Sequence, residues 1–395
     1  MATKTTRIDA ADVLRGIAVI GIILVHSVEH FNFISFADAA EQCAFLNFTD
    51  RVVWDSLFFI FGGKGYAIFA LLFGFSFFIQ DSNQQAKGKD FRMRFVWRLF
   101  LLFLIGLFDA LFYSGDILVL YAAMGLILPI VCRLPNRAVL WIAVALILQP
   151  MEWWKLDHAL LDPTYLPGNG WFDASFLTLA PVQSGGTFWE ACKANFMEGQ
   201  FANMNWYVAN GRITQTAGLF VIGLLMGSKG LLTGGEKNLK FWFGIICWAA
   251  VVFFAAEGLL NLVQEFIERG NVLRPLRLIL KSYGNMGVTF ALVGGIMILF
   301  YTTKLHVPLM KIAPYGRMSL TNYLSQSILG TMIFHNWGFG LWDNLGITYS
   351  VFVGVAIIAV QIVFCRWWLQ SHRQGPVEWA WKKATWLFSL EWKDR

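Results

Sequence analysis

Charged side chains are scarce in this sequence. Asp, Glu, Lys and Arg together make up 14% of the 395 residues, whereas about 25% is usual in a soluble domain. Apolar residues make up 57% and the mean hydropathy is +0.56, which excludes an ordinary soluble globular domain. The net charge is +6, but the cations lie in short loops, so membrane topology explains them and no nucleic acid is expected as a partner.

Cysteines and ligand motifs are also few. Five cysteines occur, and none of them has the spacing to other Cys or His residues that is typical of a metal site. No phosphate-binding or dinucleotide-binding glycine motif is present, so we expect no metal and no tightly bound cofactor. Cys43 and Cys192 are both expected outside the cytoplasm, where a disulfide is chemically allowed, but their spacing does not show that they are neighbours.

Long apolar segments are what the sequence has in abundance. Ten windows could cross a bilayer core of about 30 Å, with nine to eleven as the expected range. They are residues 12–30, 57–80, 96–114, 117–132, 138–153, 213–230, 240–261, 279–302, 318–336 and 348–369. The predicted fold class is all-α, a polytopic transmembrane helical bundle with about ten spans, which forms a single membrane domain over residues 1–395.

Lysine and arginine are concentrated in the predicted loops of one side of the membrane. They are concentrated before the first span, in the segment 81–98 and in the C-terminal tail, which places both termini in the cytoplasm by the positive-inside rule. The loop 262–278 does not follow the rule, because it is predicted to lie outside the cytoplasm and yet carries three arginines. Under this topology the segment 154–212 forms an extracytoplasmic cap.

The first predicted span ends in a cluster of titratable residues. Asp12 and Arg15 lie at its start, and His26, Glu29 and His30 follow the apolar run at its other end. The i, i+3, i+4 spacing places the last three on one helical face, roughly 20 Å beyond Asp12. Ionisable groups within a membrane span are costly, so this cluster indicates a functional site.

Three further ionisable residues are expected on the outer side. Lys64 lies in a Gly-Gly-Lys-Gly sequence at the outer end of the second span, level with His26, where it either joins the site or extends to the membrane interface. Asp109 either forms a structural pair or belongs to the site. Asp116 follows a glycine and is more typical of a turn or a helix N-cap than of a catalytic group.

A polar stripe runs along the ninth predicted span. Asn322, Ser325 and Gln326 share one helical face by their spacing. Polar groups at this depth must face protein or water rather than lipid. The stripe therefore either bonds neighbouring helices or lines a cavity.

Five blocks of sequence occur in order along nearly the whole chain. They are Arg-x-x-x-x-Asp-x-x-Arg-Gly from Arg7, FGGKGYAIFALLFGFSFF from Phe61, GDILVLYAAMGL from Gly115, GRMSLTNYLSQS from Gly316 and GPVEWAWK from Gly375. Together they resemble the YeiB-like membrane proteins, the domain-of-unknown-function 418 family. That family is biochemically obscure and is grouped with transmembrane acyltransferases, so the resemblance implies a protein of the bacterial inner membrane.

The wider resemblance bears on single residues of the first span. Membrane acyltransferases that modify polysaccharides have a first span of the form Asp-Gly-Leu-Arg and, eleven residues after this arginine, a histidine taken to be catalytic; His26 lies eleven residues after Arg15. YeiB-like proteins more often look to have Asn at this position, so this chain departs toward the acyltransferase pattern. His26 is therefore the expected base, with Glu29 to orient it and His30 as the alternative base.

The leading prediction is a membrane acyltransferase. It moves an acyl group from a cytoplasmic donor, with acyl-CoA as co-substrate, to a small-molecule or lipid-linked acceptor outside. Membrane lipids are the other expected partners. The sequence leaves open whether the protein forms a homodimer. The alternative is a transporter or flippase in which the histidines relay protons. The assigned residues are His26, Glu29 and His30 for catalysis; Lys64, Asp109, Asn322 and Gln326 for substrate; Arg92, Arg94, Arg98 and Arg317 for the donor phosphates, although topology also explains these; and Asp12, Arg15 and Asp116 as structural residues.

Overall fold

The described part of the chain is entirely helical. The computed structural model describes residues 8–33, 42–167 and 176–387, and no strand occurs within those ranges. The predicted all-α class is confirmed. Arg7 of the first sequence block and residues 168–175 of the predicted cap lie outside the described residues.

Nineteen α-helices follow one another along the described chain. They are α1 (Asp9–Glu29), α2 (Ala44–Ile60), α3 (Gly65–Gln85), α4 (Arg92–Asp109), α5 (Leu118–Met124), α6 (Ile127–Val131), α7 (Asn136–Ile147), α8 (Pro150–Leu161), α9 (Phe176–Gly185), α10 (Phe188–Ala194), α11 (Gln200–Ala209), α12 (Arg212–Ser228), α13 (Glu236–Phe266), α14 (Gly270–Thr302), α15 (His306–Met310), α16 (Ala313–Arg317), α17 (Ser319–Phe334), α18 (Ile347–Ser371) and α19 (Pro376–Leu387).

Several of these helices are suited to a membrane. Within the described residues, five are long and apolar enough to cross one: α1, the combined α2 and α3, α13, α14 and α18. The bent pair α7 and α8, whose axes differ by 43°, would make a sixth. Other predicted windows fold as shorter helices: the window 117–132 is divided into α5 and α6, and α17 has 16 residues. The apolar helices are those of a membrane protein with several spans.

Helices α3 and α12 cross in backbone contact. A Cβ atom placed on Gly74 would lie 1.9 Å from the carbonyl oxygen of Phe220, and one placed on Gly223 would lie 1.9 Å from that of Leu71. The contact is reciprocal, so neither helix has room for a side chain at the crossing. Small residues allow this close approach between helices in a membrane.

The C-terminal helix α19 is tied to the start of α17. The Glu378 carboxylate accepts hydrogen bonds from the backbone N–H groups of Leu320 and Thr321 at 2.8 and 3.1 Å and from the Thr321 hydroxyl at 2.5 Å. A carboxylate here satisfies amides that have no partner within the helix and complements the helix dipole. Trp381 also donates to the Arg98 carbonyl at 3.0 Å, so α19 joins α17 to α4.

A group of short helices between α8 and α12 covers one end of the bundle. Helices α9, α10 and α11 and the π-helical turn Asn195–Gly199 make up this cover. Asn195 donates to the carbonyls of Leu111 and Phe112 at 3.2 and 2.9 Å, which ties the cover to the chain after α4. Cys192 in α10 and Cys43 before α2 are both free thiols, so the disulfide considered from the sequence is not formed.

The α3–α12 crossing predicts a position-specific cost of an added methyl group. Gly223→Ala should lower the melting temperature of the purified protein in detergent by several degrees, because overpacking costs about 1–3 kcal/mol. The matched control is Gly244→Ala in α13, where an added Cβ meets no atom within 4 Å. Equal melting temperatures for the two variants would contradict the crossing.

Candidate functional site

Two cavities lie at opposite ends of α1. The larger has a volume of about 560 Å³, and α1 contributes Ile22, His26 and Glu29 to its wall, followed by His30 just after the helix. The smaller has a volume of about 270 Å³, and α1 contributes Asp12 and Arg15. We name them the histidine cavity and the arginine cavity. The helical cover between α8 and α12 contributes to the histidine cavity only.

His26 contacts a tyrosine that follows α4. The Tyr113 hydroxyl lies 3.3 Å from His26 Nε2, and the two ring centroids are 4.8 Å apart. His26 Nδ1 is buried and has no hydrogen-bond partner within the described ranges. The group that orients this imidazole is therefore a hydroxyl, and the tautomer decides which partner donates. Nothing in the sequence pattern pointed to Tyr113, which lies outside every motif built around the histidine.

Glu29 pairs with His30 rather than with His26. The Glu29 carboxylate lies 3.5 Å from His30 Nε2, and the two side chains are 33% and 29% exposed. The rings of His26 and His30 meet edge to face at 5.3 Å. All three residues lie in one cavity wall, as their spacing predicts. The prediction that Glu29 orients His26 has no contact to support it, since the contact made by Glu29 is to His30.

Another part of the histidine cavity is formed around Arg212. Its Nη1 donates to the Tyr66 hydroxyl at 2.6 Å and to Gln215 Oε1 at 2.9 Å. Its Cζ lies 4.8 Å from the ring centroid of Tyr66 and 5.1 Å from that of Trp206. Sequence reasoning missed Arg212 because a single arginine at the start of a helix carries no motif. Its one signal is that it is a cation at the outer end of a predicted span, against the positive-inside rule.

Two of the four predicted donor-binding arginines line the arginine cavity. These are Arg98 and Arg317. The Arg98 guanidinium lies 3.6 Å from the ring centroid of Trp381, which holds it at the cavity wall. Arg15 lines the same cavity, where its Nη1 donates to Asp12 at 2.7 Å and its Nη2 bonds Ser76 on α3.

The other two arginines are engaged elsewhere. Arg94 is buried and donates to the Thr385 carbonyl of α19 at 2.9 Å. Arg92 is exposed and donates to Asp90 at 2.7 Å, and its hydrogen bonds lower the pKa of the Asp90 carboxyl. Neither side chain belongs to the wall of the arginine cavity. Their predicted contact with a donor therefore has no support from the arginine cavity.

Lys64 does not lie level with His26, so that prediction was wrong. Lys64 occupies the break between α2 and α3, where the neighbouring Gly65 packs on Ile22 of α1, about one helical turn before His26. Its Nζ donates to the Phe58 carbonyl at 3.0 Å. The physical reason is that the apolar segment starts earlier than predicted: α2 precedes the break, which puts Lys64 near the middle of a long helical segment.

Asp109 and Asp116 form a buried pair beside α17. Asp109 accepts a hydrogen bond from the Ser327 hydroxyl at 3.1 Å. Asp116 accepts one from the Val119 backbone N–H at 3.1 Å, as expected of a turn residue, and the Tyr323 hydroxyl lies 3.3 Å from it. The two carboxyl groups lie close enough to interact electrostatically, and Asp109 Oδ1 has no hydrogen-bond partner among the described residues. Asp109 lines neither cavity, so its contacts favour the structural role, which was one of the two expected from the sequence.

The polar stripe of α17 serves mainly to bond helices. Asn322 donates to the Tyr315 carbonyl at 2.9 Å, and its own carbonyl accepts from Gln361 of α18 at 3.0 Å. Gln361 also donates to the Ser325 hydroxyl at 2.8 Å. Gln326 is fully buried, and neither atom of its amide has a partner among the described residues. Neither Asn322 nor Gln326 lines either cavity.

About one helical turn separates the two cavities. Three segments each contribute residues to both cavity walls. The residues in the wall of the histidine cavity are Tyr66, Ile117 and Tyr323. Their neighbours in the wall of the arginine cavity are Phe69, Leu118 and Leu320. Three residues of a helix rise only about 4.5 Å, so this partition is thin. Tyr121 belongs to it and donates its hydroxyl hydrogen to the Tyr66 carbonyl at 2.6 Å. We name this layer the septum.

These features define a class: a helical membrane protein in which two cavities approach each other from opposite ends of one bundle. In the described ranges no cluster of three or more His, Cys, Asp or Glu residues could hold a metal ion. The polar groups in the two cavity walls include imidazole, hydroxyl, amide, guanidinium and carboxylate groups, the carboxylates being those of Glu29, Asp12 and Glu378.

Comparison with known proteins gives the family. Residues 226–388 match the family model "Protein of unknown function (DUF418)". The chain is 28% identical to the uncharacterized protein YxaH of Bacillus subtilis over 96% of this chain and 94% of that protein. It is also 28% identical to the uncharacterized protein YeiB of Escherichia coli, with 95% of each chain covered. Residues 226–388 thus match the DUF418 family, and the chain is similar to YeiB over nearly its whole length. No solved structure matches this chain.

The septum predicts that two adjacent residues are accessible from opposite sides of the membrane. In sealed vesicles, Ile117→Cys should react with a small charged methanethiosulfonate from one side and Leu118→Cys from the other. The exposed native cysteines Cys43 and Cys247 are first replaced by serine. Val221→Cys is the control, because Val221 is fully buried and, unlike Ile117 and Leu118, lines neither cavity, so it should not react. Labelling of both positions from the same side would rule out the septum.

Proposed function

We propose that this protein is a membrane acyltransferase. The acyl donor enters the arginine cavity, and the acceptor binds in the histidine cavity. The observation that carries the proposal is the septum: two cavities reach from opposite ends of the bundle to within about one helical turn of each other. Transfer between substrates on two sides of a membrane needs two such entrances and a base beside their meeting point.

We further propose ten passes, with both termini and the arginine cavity on the cytoplasmic side of the bacterial inner membrane. The positive-inside rule supports this orientation, because Arg98, Arg133 and Arg317 lie at the same end as the start of α1. The long helices account for some of the ten passes, and shorter helices packed against them would supply the others. For example, α12 packs along α3 and α7. The cover over the histidine cavity then faces outward.

The proposed chemistry is a base-assisted attack on a thioester. An acceptor hydroxyl loses its proton toward His26 Nε2 as its oxygen bonds to the acyl carbonyl carbon. The carbon–sulfur bond then breaks, the thiolate leaves, and it takes the proton from the imidazole, so an ester and a free thiol are formed. Tyr113 lies where it can pass this proton, because its hydroxyl contacts Nε2. Positioned proton transfer of this kind contributes about 10²–10⁴-fold to rate.

The arginine cavity suits part of a donor such as acyl-CoA. Its volume of about 270 Å³ lies just below the range of roughly 300–1,000 Å³ for small-molecule sites. It would therefore hold the narrow arm of the donor, with the phosphates at its mouth. Arg98 and Arg317 supply positive charge there, while the Arg15 charge is paired with Asp12.

A transporter is the second candidate, and the septum also supports it. Alternating access requires two cavities that open to opposite sides around a closed centre, and the Tyr121–Tyr66 hydrogen bond is a contact that such a motion would break. Covalent transfer distinguishes the two functions, because a transporter leaves its substrate chemically unchanged.

Donor binding should depend on the arginines that line the cavity. Arg98→Gln should weaken the binding of acetyl-CoA about tenfold or more, measured by isothermal titration calorimetry on the protein in nanodiscs, because a charge-assisted contact is worth roughly 1.5–3 kcal/mol. Arg92→Gln is the matched control, since Arg92 lies in the same helix but points to Asp90. If the two variants bind equally, the donor does not bind in the arginine cavity.

Acyl transfer should depend on His26. With labelled acetyl-CoA supplied to proteoliposomes, label should appear in the lipid or sugar fraction, and His26→Ala should lower its rate about 100-fold or more because the base is lost. His372→Ala is the control: His372 is exposed beyond α18 and should not affect transfer. Equal transfer rates for the two variants would show that His26 is not the base. Transport would be favoured if the acceptor crosses the membrane but carries no labelled acetyl group.

A further inference from the structure

We infer that the histidine cavity binds a phosphate group, and that Arg212 is the residue that holds it. Nothing in the sequence analysis or the proposed chemistry used Arg212, although it is the arginine that lines this cavity. The assignment of the phosphate to the acceptor rests on the proposed acyl transfer, whereas the phosphate site itself rests on the geometry around Arg212.

One edge of the Arg212 guanidinium is available for a ligand. Nη1 is occupied by the Tyr66 hydroxyl and Gln215, whereas Nε is buried and has no hydrogen-bond partner among the described residues. No acceptor for Nη2 is found among them either. Nε and Nη2 lie on the same edge of a guanidinium, and two parallel N–H groups are the arrangement that binds two oxygens of a phosphate.

The charge of Arg212 is not neutralised locally. Within the described ranges no carboxylate forms an ion pair with it, and its closest polar partners, Tyr66 and Gln215, are uncharged. A second cation, Lys64, lies close enough for its charge to interact both with Arg212 and with the Glu257 carboxylate. That carboxylate can offset only one of the two positive charges, and an uncompensated cation in a region of low dielectric is costly. A phosphate group beside Arg212 would supply the missing negative charge, and a monoester carries nearly two negative charges at neutral pH.

Gly63 leaves room for the ligand beside Nη2. Its φ of +72° is a conformation that side chains disfavour. A Cβ atom placed there would lie 3.5 Å from Arg212 Nη2 and 3.8 Å from Asn285 Nδ2. The glycine therefore keeps a space open between two N–H donors, both of which belong to the cavity wall. Asn285 would supply a second donor to the same phosphate.

The rest of the cavity is suited to an apolar or ring-shaped group attached to the phosphate. Aromatic side chains dominate its wall: Phe33, Phe58, Phe61, Phe112, Phe176 and Trp206. A phosphate could reach Arg212 as the head of a lipid lying among these rings, or as part of a water-soluble phosphorylated molecule. The ligand chemistry is the same in both cases, and only a binding experiment with both sources separates them.

The test measures binding to the full-length protein in nanodiscs of neutral phosphatidylcholine, by isothermal titration calorimetry. The probes are farnesyl monophosphate, farnesol and inorganic phosphate. Farnesyl monophosphate should bind more tightly than farnesol, and Arg212→Gln should weaken its binding about tenfold or more. Arg212→Lys should retain part of the affinity because the charge remains but the planar edge is lost. Binding of inorganic phosphate with the same dependence on Arg212 would indicate a free phosphorylated ligand, and its absence a lipid-borne one.

Arg277→Gln is the matched control, because Arg277 is exposed on α14 outside the cavity wall and should not alter binding. Acetyl-CoA binding and the melting temperature without ligand show whether Arg212→Gln is folded. Tyr66→Phe is a second variant, because it removes the hydroxyl that accepts a hydrogen bond from Arg212 Nη1. It should weaken phosphate binding less than Arg212→Gln does. The inference is overturned if farnesol binds as tightly as its phosphate, if no phosphate probe binds, or if folded Arg212→Gln binds like the wild type.

The failure of this inference can be told from the failure of acyl transfer. If labelled acetyl groups are never transferred but phosphate binding depends on Arg212, the phosphate site stands and the acyltransferase proposal fails. If transfer depends on His26 while phosphate binding is independent of Arg212, the acyltransferase stands and the phosphate site fails.

Discussion

The structure depends on the backbone contact between α3 and α12. Gly74 and Gly223 bring the two helices so close that a methyl group at either position would overlap a carbonyl oxygen. Helix α3 carries Tyr66 to the histidine cavity and Ser76 to the arginine cavity, and α12 carries Arg212. Because dense interiors transmit small displacements, the distance between these helices sets the shape of both cavities at once.

Most buried polar groups in the bundle have partners, which makes the few without partners informative. Asp12 is paired with Arg15, Glu378 is bonded to the start of α17, and Asn322 is bonded to its neighbours. Buried polar groups normally find such partners because leaving them unpaired is costly. Nδ1 of His26 and Nε of Arg212 have no partner among the described residues, and both residues line the histidine cavity, where a ligand could supply one. Several other buried atoms without such a partner, among them the Gln326 amide, belong to residues that line neither cavity.

Local periodicity was predictable from the sequence, whereas tertiary partners were not. The helical class and the common wall of His26, Glu29 and His30 follow from spacing along one helix. The position of Lys64 was wrong because the start of a helix depends on where an apolar segment breaks, and boundaries are weakly encoded. Tyr113 and Arg212 were missed since each meets the site through packing between distant segments, which a single sequence does not reveal.

The contacts of α19 also bear on how the protein is made. Glu378 and Trp381 of this helix line the arginine cavity together with Asp12 and Arg15 of α1. Helix α19 leaves the ribosome after all other described helices, so one wall of the cavity comes from the first described helix and another from the last. The cavity is therefore completed only after α19 has been translated. A nascent chain that still lacks α19 has no finished arginine cavity, so the assembly of this cavity and its competence for a ligand arise together.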